Sequence, residues 1–326
     1  MKGEWLVAVN SSEVSVVVQG AINKELTQDC LRRVRRYLPH AEIILSTWQG
    51  SNVEGLEYDK LLLNEDPGGA DCSRDGRGIN NCNRELVSTF NGIKQAERKY
   101  TLKIRTDLLL LNDKILKKRV ERYQRTSQYS YLKERIVVCS VYSRYFAMRK
   151  GTDIRTPILF HPSDWIYFGL TEDLYNLFDI PLTDEPEFSQ WFRNRPQQRN
   201  GYIDAHPFRL WKFSPEAYIW TAFLKKIGVA DIADKLDIDE EKMKLSRHSL
   251  VNNFYMADQC QLGIKLAKYN ICQPLMTKID REGLYTNIHW QREYRKLCCR
   301  SYIVRPTACR ILNFIVDLLR IKRRAR

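Results

Sequence analysis

The sequence predicts an α/β fold built on a mostly parallel central sheet flanked by helices, with a helical C-terminal part. Three observations predict it. The β-branched run VSVVV (14–18) is followed at once by Gln19, Gly20, Ala21 and a helical segment. The apolar run EIILST (42–47) follows that helix after a short connection. TLKIRTDLLLL (101–111) then reads as a buried strand, apolar at Leu102 and Ile104, that ends in Lys103, Arg105 and Asp107. Strand, helix and strand joined this closely make a parallel, Rossmann-like sheet the economical arrangement. The 326 residues, 44% of them hydrophobic, suffice for one large domain with a sizeable core.

In the first helix Leu26, Cys30, Val34 and Tyr37 repeat at near-helical spacing. Arg32, Arg33, Arg35 and Arg36 fall on the other side, as a solvated face does. Pro39 closes the helix. A further strand is predicted at Lys60–Leu63, leading into the turn NEDPGG (64–69), and the Gly-, Asp- and Arg-rich stretch 68–78 predicts a mobile loop. Asn80, Asn81 and Asn83 then precede a helix with a stripe of Leu86, Phe90, Ile93 and Ala96, where asparagine serves as a cap. Arg84 falls in the first turn, the end of the helix dipole that prefers anions. A bound phosphate would resolve that conflict.

The charged end of the third run has two readings. In an open α/β sheet ligands bind beyond the carboxyl ends of the strands, so Arg105 and Asp107 together suit a diphosphate, bare or metal-bound. Ion pairs between a strand and its neighbouring helix also put charges there. Beyond it, a basic helical stretch (Lys114–Arg125) and strands at Arg135–Ser140 and Pro157–Phe160 are expected. The last of these runs into HPSDW (161–165), which makes Asp164 a second carboxylate just past an apolar run; IYFG and a helix, TEDLYNLF, follow. In SPEAYIWTAFLKK, Ser214 caps a helix and Pro215 takes its first position. Glu216 is either a candidate catalytic carboxylate or a first-turn carboxylate stabilised by the dipole. The five histidines show no HxH or HExxH spacing and read as packing or surface residues; His248 is expected near the start of a helix through VNNFYMADQCQLGIKLAKY.

Composition narrows the partners. A net charge of +14 implies a polyanion, an anionic membrane surface or a phosphorylated substrate. A nucleic-acid-binding protein would gather its basic residues on one face among aromatics; here they are dispersed and no binding motif is present, so no nucleic acid is expected. The tail is the exception, where Ile311, Leu312, Ile315, Leu318 and Leu319 form an apolar stripe ahead of Arg320, Lys322, Arg323, Arg324 and Arg326. It suits either an interfacial helix on anionic lipid or a last packed helix with a solvated end. The start MKGEWLVAVN lacks the pattern of a secretory signal and no apolar run is long enough to span a bilayer, which predicts a cytoplasmic protein. Nine cysteines without a CxxC pair read as reduced, structural thiols. The expected organisation is an α/β core (1–212), a helical C-terminal part of the same domain (213–304) and the basic tail (305–326).

VSVVVQG, EIILSTW, NEDPGG, NNCNRELVSTFNGIKQA, YTLKIRTDLLL, HPSDWIYFG, EAYIW and NNFYMADQCQLGIKLAKY together resemble the WavE-type lipopolysaccharide-synthesis family, over nearly the whole chain. The NRE…NG helix followed by KIRTD is the most specific part. The resemblance implies a glycosyltransferase of GT-A-like architecture that uses a nucleotide-sugar donor. Its acceptor would be a saccharide or lipid-linked saccharide of lipopolysaccharide or capsule, met at the inner face of the inner membrane. Asn83 and Arg84 would match the helix start that meets the donor, and Arg105 with Asp107 the Asp-x-Asp-like element. Here the first acid of that element is Arg105. A lone carboxylate is a weaker site for Mg²⁺ or Mn²⁺, and a guanidinium can itself offset diphosphate charge.

The candidate donor residues are therefore Gln19, Asn83, Arg84, Lys103, Arg105 and Asp107, with Asp107 the ligand of any metal. Asp164, then Glu216, are the candidates to take the acceptor hydroxyl's proton. A nucleotidyltransferase is the rival enzyme class, although Gln19-Gly20-Ala21 is a poor version of its Gly-rich phosphate loop.

Overall fold

The computed structural model describes residues 8–118, 120–148, 152, 154–267 and 283–299. In chain order the principal elements are β1 (Val14–Gln19), α1 (Lys24–Tyr37), β2 (Glu42–Trp48), β3 (Lys60–Asn64), α2 (Cys82–Lys94) and β4 (Tyr100–Arg105). They continue with β5 (Ile136–Cys139), β6 (Ile166–Leu170), α3 (Thr171–Phe178), α4 (Pro215–Lys226) and α5 (Glu240–Asn253). The last are β7 (Phe254–Ala257), α6 (Gln259–Leu262) and α7 (Asn287–Leu297). Caps fix the helix starts: the Asn23 side chain accepts from the Leu26 amide, Ser214 from Ala217 and Asp239 from Lys242.

The seven strands form one sheet in the order β7-β5-β6-β4-β1-β2-β3. Strands β3, β2, β1 and β4 are parallel, as are β5 and β7; β6 runs antiparallel to both β4 and β5. Val14, Val16, Val17, Val18, Ile43, Ile44, Leu45, Leu102 and Ile104 have no accessible surface. That is the continuous apolar burial expected of strands covered on both faces. Helix α2 lies close on β1, because a Cβ at Gly92 would collide with Val17.

The register places the site. Gln19 pairs with Arg105, and Ile166 pairs with Ile104. The start of the reversed strand β6 thus lies beside the carboxyl end of β4, and Asp164 and Trp165 share an edge with Gln19 and Arg105.

Four expectations are corrected. Asp164 precedes strand β6 and does not end a strand at Pro157–Phe160; the strand there is Arg155–Pro157, paired with Phe146–Met148, and Phe160 has φ +55°. The helix expected through VNNFYMADQ breaks at Asn253, and Phe254–Ala257 is the edge strand β7. A run of four apolar residues carries no periodicity that separates helix from strand. The basic stretch after Asp113 is a single 3₁₀ turn, Lys114–Lys117, in place of a helix to Arg125. Residues 70–71 and 79–80 pair as an antiparallel hairpin where a mobile loop was expected, closed by Cys72 N–H donating to Gly78 (2.7 Å). The stripe and basic end of the tail lie outside the described residues. Among those residues no helix is long and apolar enough to cross a membrane.

Candidate active site

The floor of the site is the carboxyl edge of β1 and β4. Gln19 Oε1 accepts from Ser88 Oγ of α2 at 2.7 Å. Its carbonyl accepts from the Thr106 amide at 3.0 Å, and Thr106 Oγ1 donates to the Ala21 carbonyl at 2.7 Å. The turn after β4 is thereby tied to the end of β1. Gly20 makes this junction at φ +117°, a conformation other residues rarely adopt. In that turn Arg105 grips Asp107 with two hydrogen bonds, Nε to Oδ1 at 2.9 Å and Nη2 to Oδ2 at 2.8 Å. The Arg105 guanidinium also lies 5.1 Å from the centre of the Trp165 ring, which Tyr142 stacks upon. Both members stay partly accessible, at 26% and 16%.

This donor set fits a divalent metal poorly. Asp107 is a single carboxylate, and both of its oxygens already accept from Arg105. Among the described residues no cluster of three His, Cys, Asp or Glu is placed to hold a metal ion. Mg²⁺ and Mn²⁺ favour several oxygen ligands.

Behind this edge lies a buried acidic group around one cation. Lys103 has no accessible surface; its Nζ pairs with Glu85 Oε1 at 2.6 Å, bonds to the Asp164 carbonyl and sits 5.5 Å from the Tyr167 ring centre. Burial raises the Asp164 carboxyl well above the usual range, and the neighbouring Glu85 carboxylate raises it further. Glu216 is also raised, by burial first and by Asp164 second, while His161 and Arg144 oppose the shift. Asp164 Oδ1 and the Tyr167 hydroxyl are buried and have no hydrogen-bond partner among the described residues. Burial holds His161 down to about 4, so the imidazole is neutral near pH 7. Its Nε2 lies 2.9 Å from Ser214 Oγ and 3.7 Å from Glu216 Oε2.

Glu216 keeps 14% of its side chain accessible and lines a cavity of about 460 Å³ whose wall includes Tyr142, Arg144, Phe208, Arg209 and Trp211. That volume suits a small organic ligand. Asp164 is not on this wall.

The candidates from the sequence separate into two groups. Gln19, Lys103, Arg105, Asp107, Asp164 and Glu216 converge on the edge and the acidic group behind it. Asn83 and Arg84 are engaged elsewhere. The Asn83 amide bridges Thr183, accepting from its amide (2.7 Å) and hydroxyl (2.9 Å) and donating to its carbonyl (3.0 Å). Arg84 pairs bidentately with Asp66 (2.7 and 2.8 Å) and donates to Asn81 Oδ1. The anion needed at this helix start is thus a carboxylate of the chain itself. Sequence reasoning missed Glu85, His161, Trp165 and Tyr167. Glu85 was within reach, since it adjoins Arg84 in the first turn of α2, a position favourable to acids.

No curated protein matches this chain in sequence. The family of WavE lipopolysaccharide synthesis matches residues 14–323, nearly the whole length, and on the strength of that span the protein belongs to it.

Proposed function

We propose that this member of the lipopolysaccharide-synthesis family is a glycosyltransferase. It moves a sugar from a nucleotide-sugar donor to a saccharide or lipid-linked saccharide acceptor. The observation that carries the reading is the position of Glu216 on the wall of a ligand-sized cavity, behind the same sheet edge that presents Arg105 and Asp107.

In this reading the donor diphosphate meets Arg105, whose guanidinium is pre-oriented by Asp107 and Trp165 and offers donors in a fixed fork. The charge on the departing diphosphate is offset there without a metal. Glu216 takes the proton of the acceptor hydroxyl as that oxygen bonds to the anomeric carbon. The bond from that carbon to the diphosphate oxygen breaks, and the diphosphate carries away its electron pair. A raised carboxyl is the stronger base, closer to the operating pH. Glu216 therefore precedes Asp164 as the base, because Asp164 is buried away from the cavity and tied to Glu85. Asp164 keeps the pocket's charge low and shapes Glu216.

The test is product analysis of purified protein given a panel of nucleotide sugars and lipid-linked acceptors. Release of nucleoside diphosphate, undiminished by EDTA, supports the reading. Release of pyrophosphate identifies a nucleotidyltransferase instead, and loss of turnover with EDTA refutes the role given to Arg105.

A further inference from the structure

The cavity beside Glu216 has a charge pattern that the transfer chemistry alone does not require. Each aspartate on its wall is matched by a cation: Asp204 by Lys235 at 2.7 Å, Asp234 by Arg199 at 3.3 Å and Asp237 by Lys242 at 3.2 Å. Arg209, also on the wall, has no carboxylate partner among the described residues. Its Nη1 donates to the Cys72 sulfur at 3.3 Å, and its guanidinium lies 5.5 Å from the Phe208 ring centre and 5.4 Å from that of Trp211. Arg144 faces Glu216 and His161 closely enough to act on both carboxyl and imidazole. Arg209 is thus the wall cation that no carboxylate among the described residues pairs with, and it sits among aromatic rings. Phe208 is 55% exposed, an apolar shelf at the cavity.

We propose that this cavity is the acceptor subsite and that it takes an acidic saccharide, a sugar ring bearing a carboxylate or a phosphate. The proposal rests on the reading of Glu216 as the group that receives the acceptor hydroxyl's proton. The C–H face of a pyranose packs on Phe208 and Trp211 as an apolar surface, and the anion receives two N–H donors from Arg209 in the bidentate geometry that guanidinium favours. Glu216, on the same wall, meets a hydroxyl of the same ring.

Four probes read this directly by ligand-observed NMR on the intact protein: D-glucuronate, its uncharged methyl ester, glucose 6-phosphate and glucose. One or both anionic sugars are expected to bind about tenfold more tightly than the two neutral ones, which corresponds to about 1.4 kcal/mol. Preference for the phosphate alone, or for the carboxylate alone, identifies the anion. Arg209→Gln is expected to level the four affinities, and Arg209→Lys to restore part of the difference. Arg209 also fills the space above Gly78, so the fold of each variant is checked by thermal unfolding. The two comparisons on the unaltered chain, acid against ester and phosphate against glucose, carry the test whatever the variants do.

Equal binding of all four sugars overturns the proposal, as does an anion preference that survives in folded Arg209→Gln. If the four sugars bind alike while a nucleotide sugar binds and turns over, the acid preference falls and the transferase reading stands. If the anionic sugars are preferred but no nucleotide sugar binds, the transferase reading falls and the cavity remains an acidic-sugar site.

Discussion

Glu216 experiences opposing influences. It stands in the first turn of α4, where the helix dipole favours its anion, yet burial and Asp164 push its carboxyl up, and the net direction is upward. A base of that kind contributes roughly 10²–10⁴-fold to a proton transfer. Glu216→Gln should lower turnover by that order while the affinity for nucleoside diphosphate stays within about twofold, because the substitution leaves Arg105 and Asp107 untouched. Calorimetry with the nucleotide separates the two, and a parallel loss of nucleotide binding would place Glu216 in the donor site. Asp164 makes a different prediction. Its carboxyl is raised, so the folded protein holds that proton more tightly than the unfolded chain. The associated stability is complete below the unfolded pKa and is lost as pH rises through the folded one. Asn cannot ionise and escapes that loss. Asp164→Asn should therefore melt above the parent protein at pH 8, by roughly 2 °C for each kcal/mol relieved, with a smaller difference at pH 5. A difference independent of pH would sink this account. Both acids were legible in the sequence as carboxylates near element ends. Of the partners that define their chemistry, Lys103 was read as a donor residue, whereas Glu85 and Tyr167 were not read at all, because the three meet only when β6 pairs with β4 and α2 covers both.

Among the elements, α2 does the most to hold the site. Its Ser88 fixes Gln19, its Glu85 neutralises Lys103, and Gly92 lets its axis approach β1. Gly92→Ala brings a methyl group against Val17, and overpacking of this kind costs about 1–3 kcal/mol. The helix must shift outward, so the variant should lose both denaturant stability and nucleotide affinity. Arg84→Ala on the same helix is the contrast, since it removes a partly exposed pair with Asp66 and one hydrogen bond to Asn81. A change below about 1 kcal/mol and unaltered nucleotide affinity are expected. Measuring both variants by urea unfolding and nucleotide titration checks the division of labour within the helix; a donor-binding defect in Arg84→Ala would return it to the site. Strands β1, β2 and β4 and helices α1 and α2 were readable from apolar runs and stripes. Strand β7 was not, because FYMA is apolar at every position and is distinguished as a strand only by its parallel pairing with β5.

At the scale of the molecule, the net charge of +14 and the basic end of the chain raise the question of where an acceptor on a lipid would be met. We propose the tail as the anchor on anionic lipid. A chain truncated after Val304 should then lose most of its co-sedimentation with phosphatidylglycerol vesicles at moderate salt and keep its nucleotide affinity. Undiminished co-sedimentation would remove the tail from that role. The sheet itself has a further property. Gln19, Arg105 and Asp107 of the proposed donor edge come from chain up to 107, the cavity wall comes from chain after Ser140, and the reversed strand β6 brings Trp165 of the later stretch back to Arg105. On the proposed reading, what the protein takes from and what it gives to are written largely on successive stretches of one polypeptide. Relatives in the family could then exchange the later stretch and inherit a new acceptor while keeping an old donor. Diversification of a surface polysaccharide would, on this architecture, proceed by changing one half of a linkage at a time.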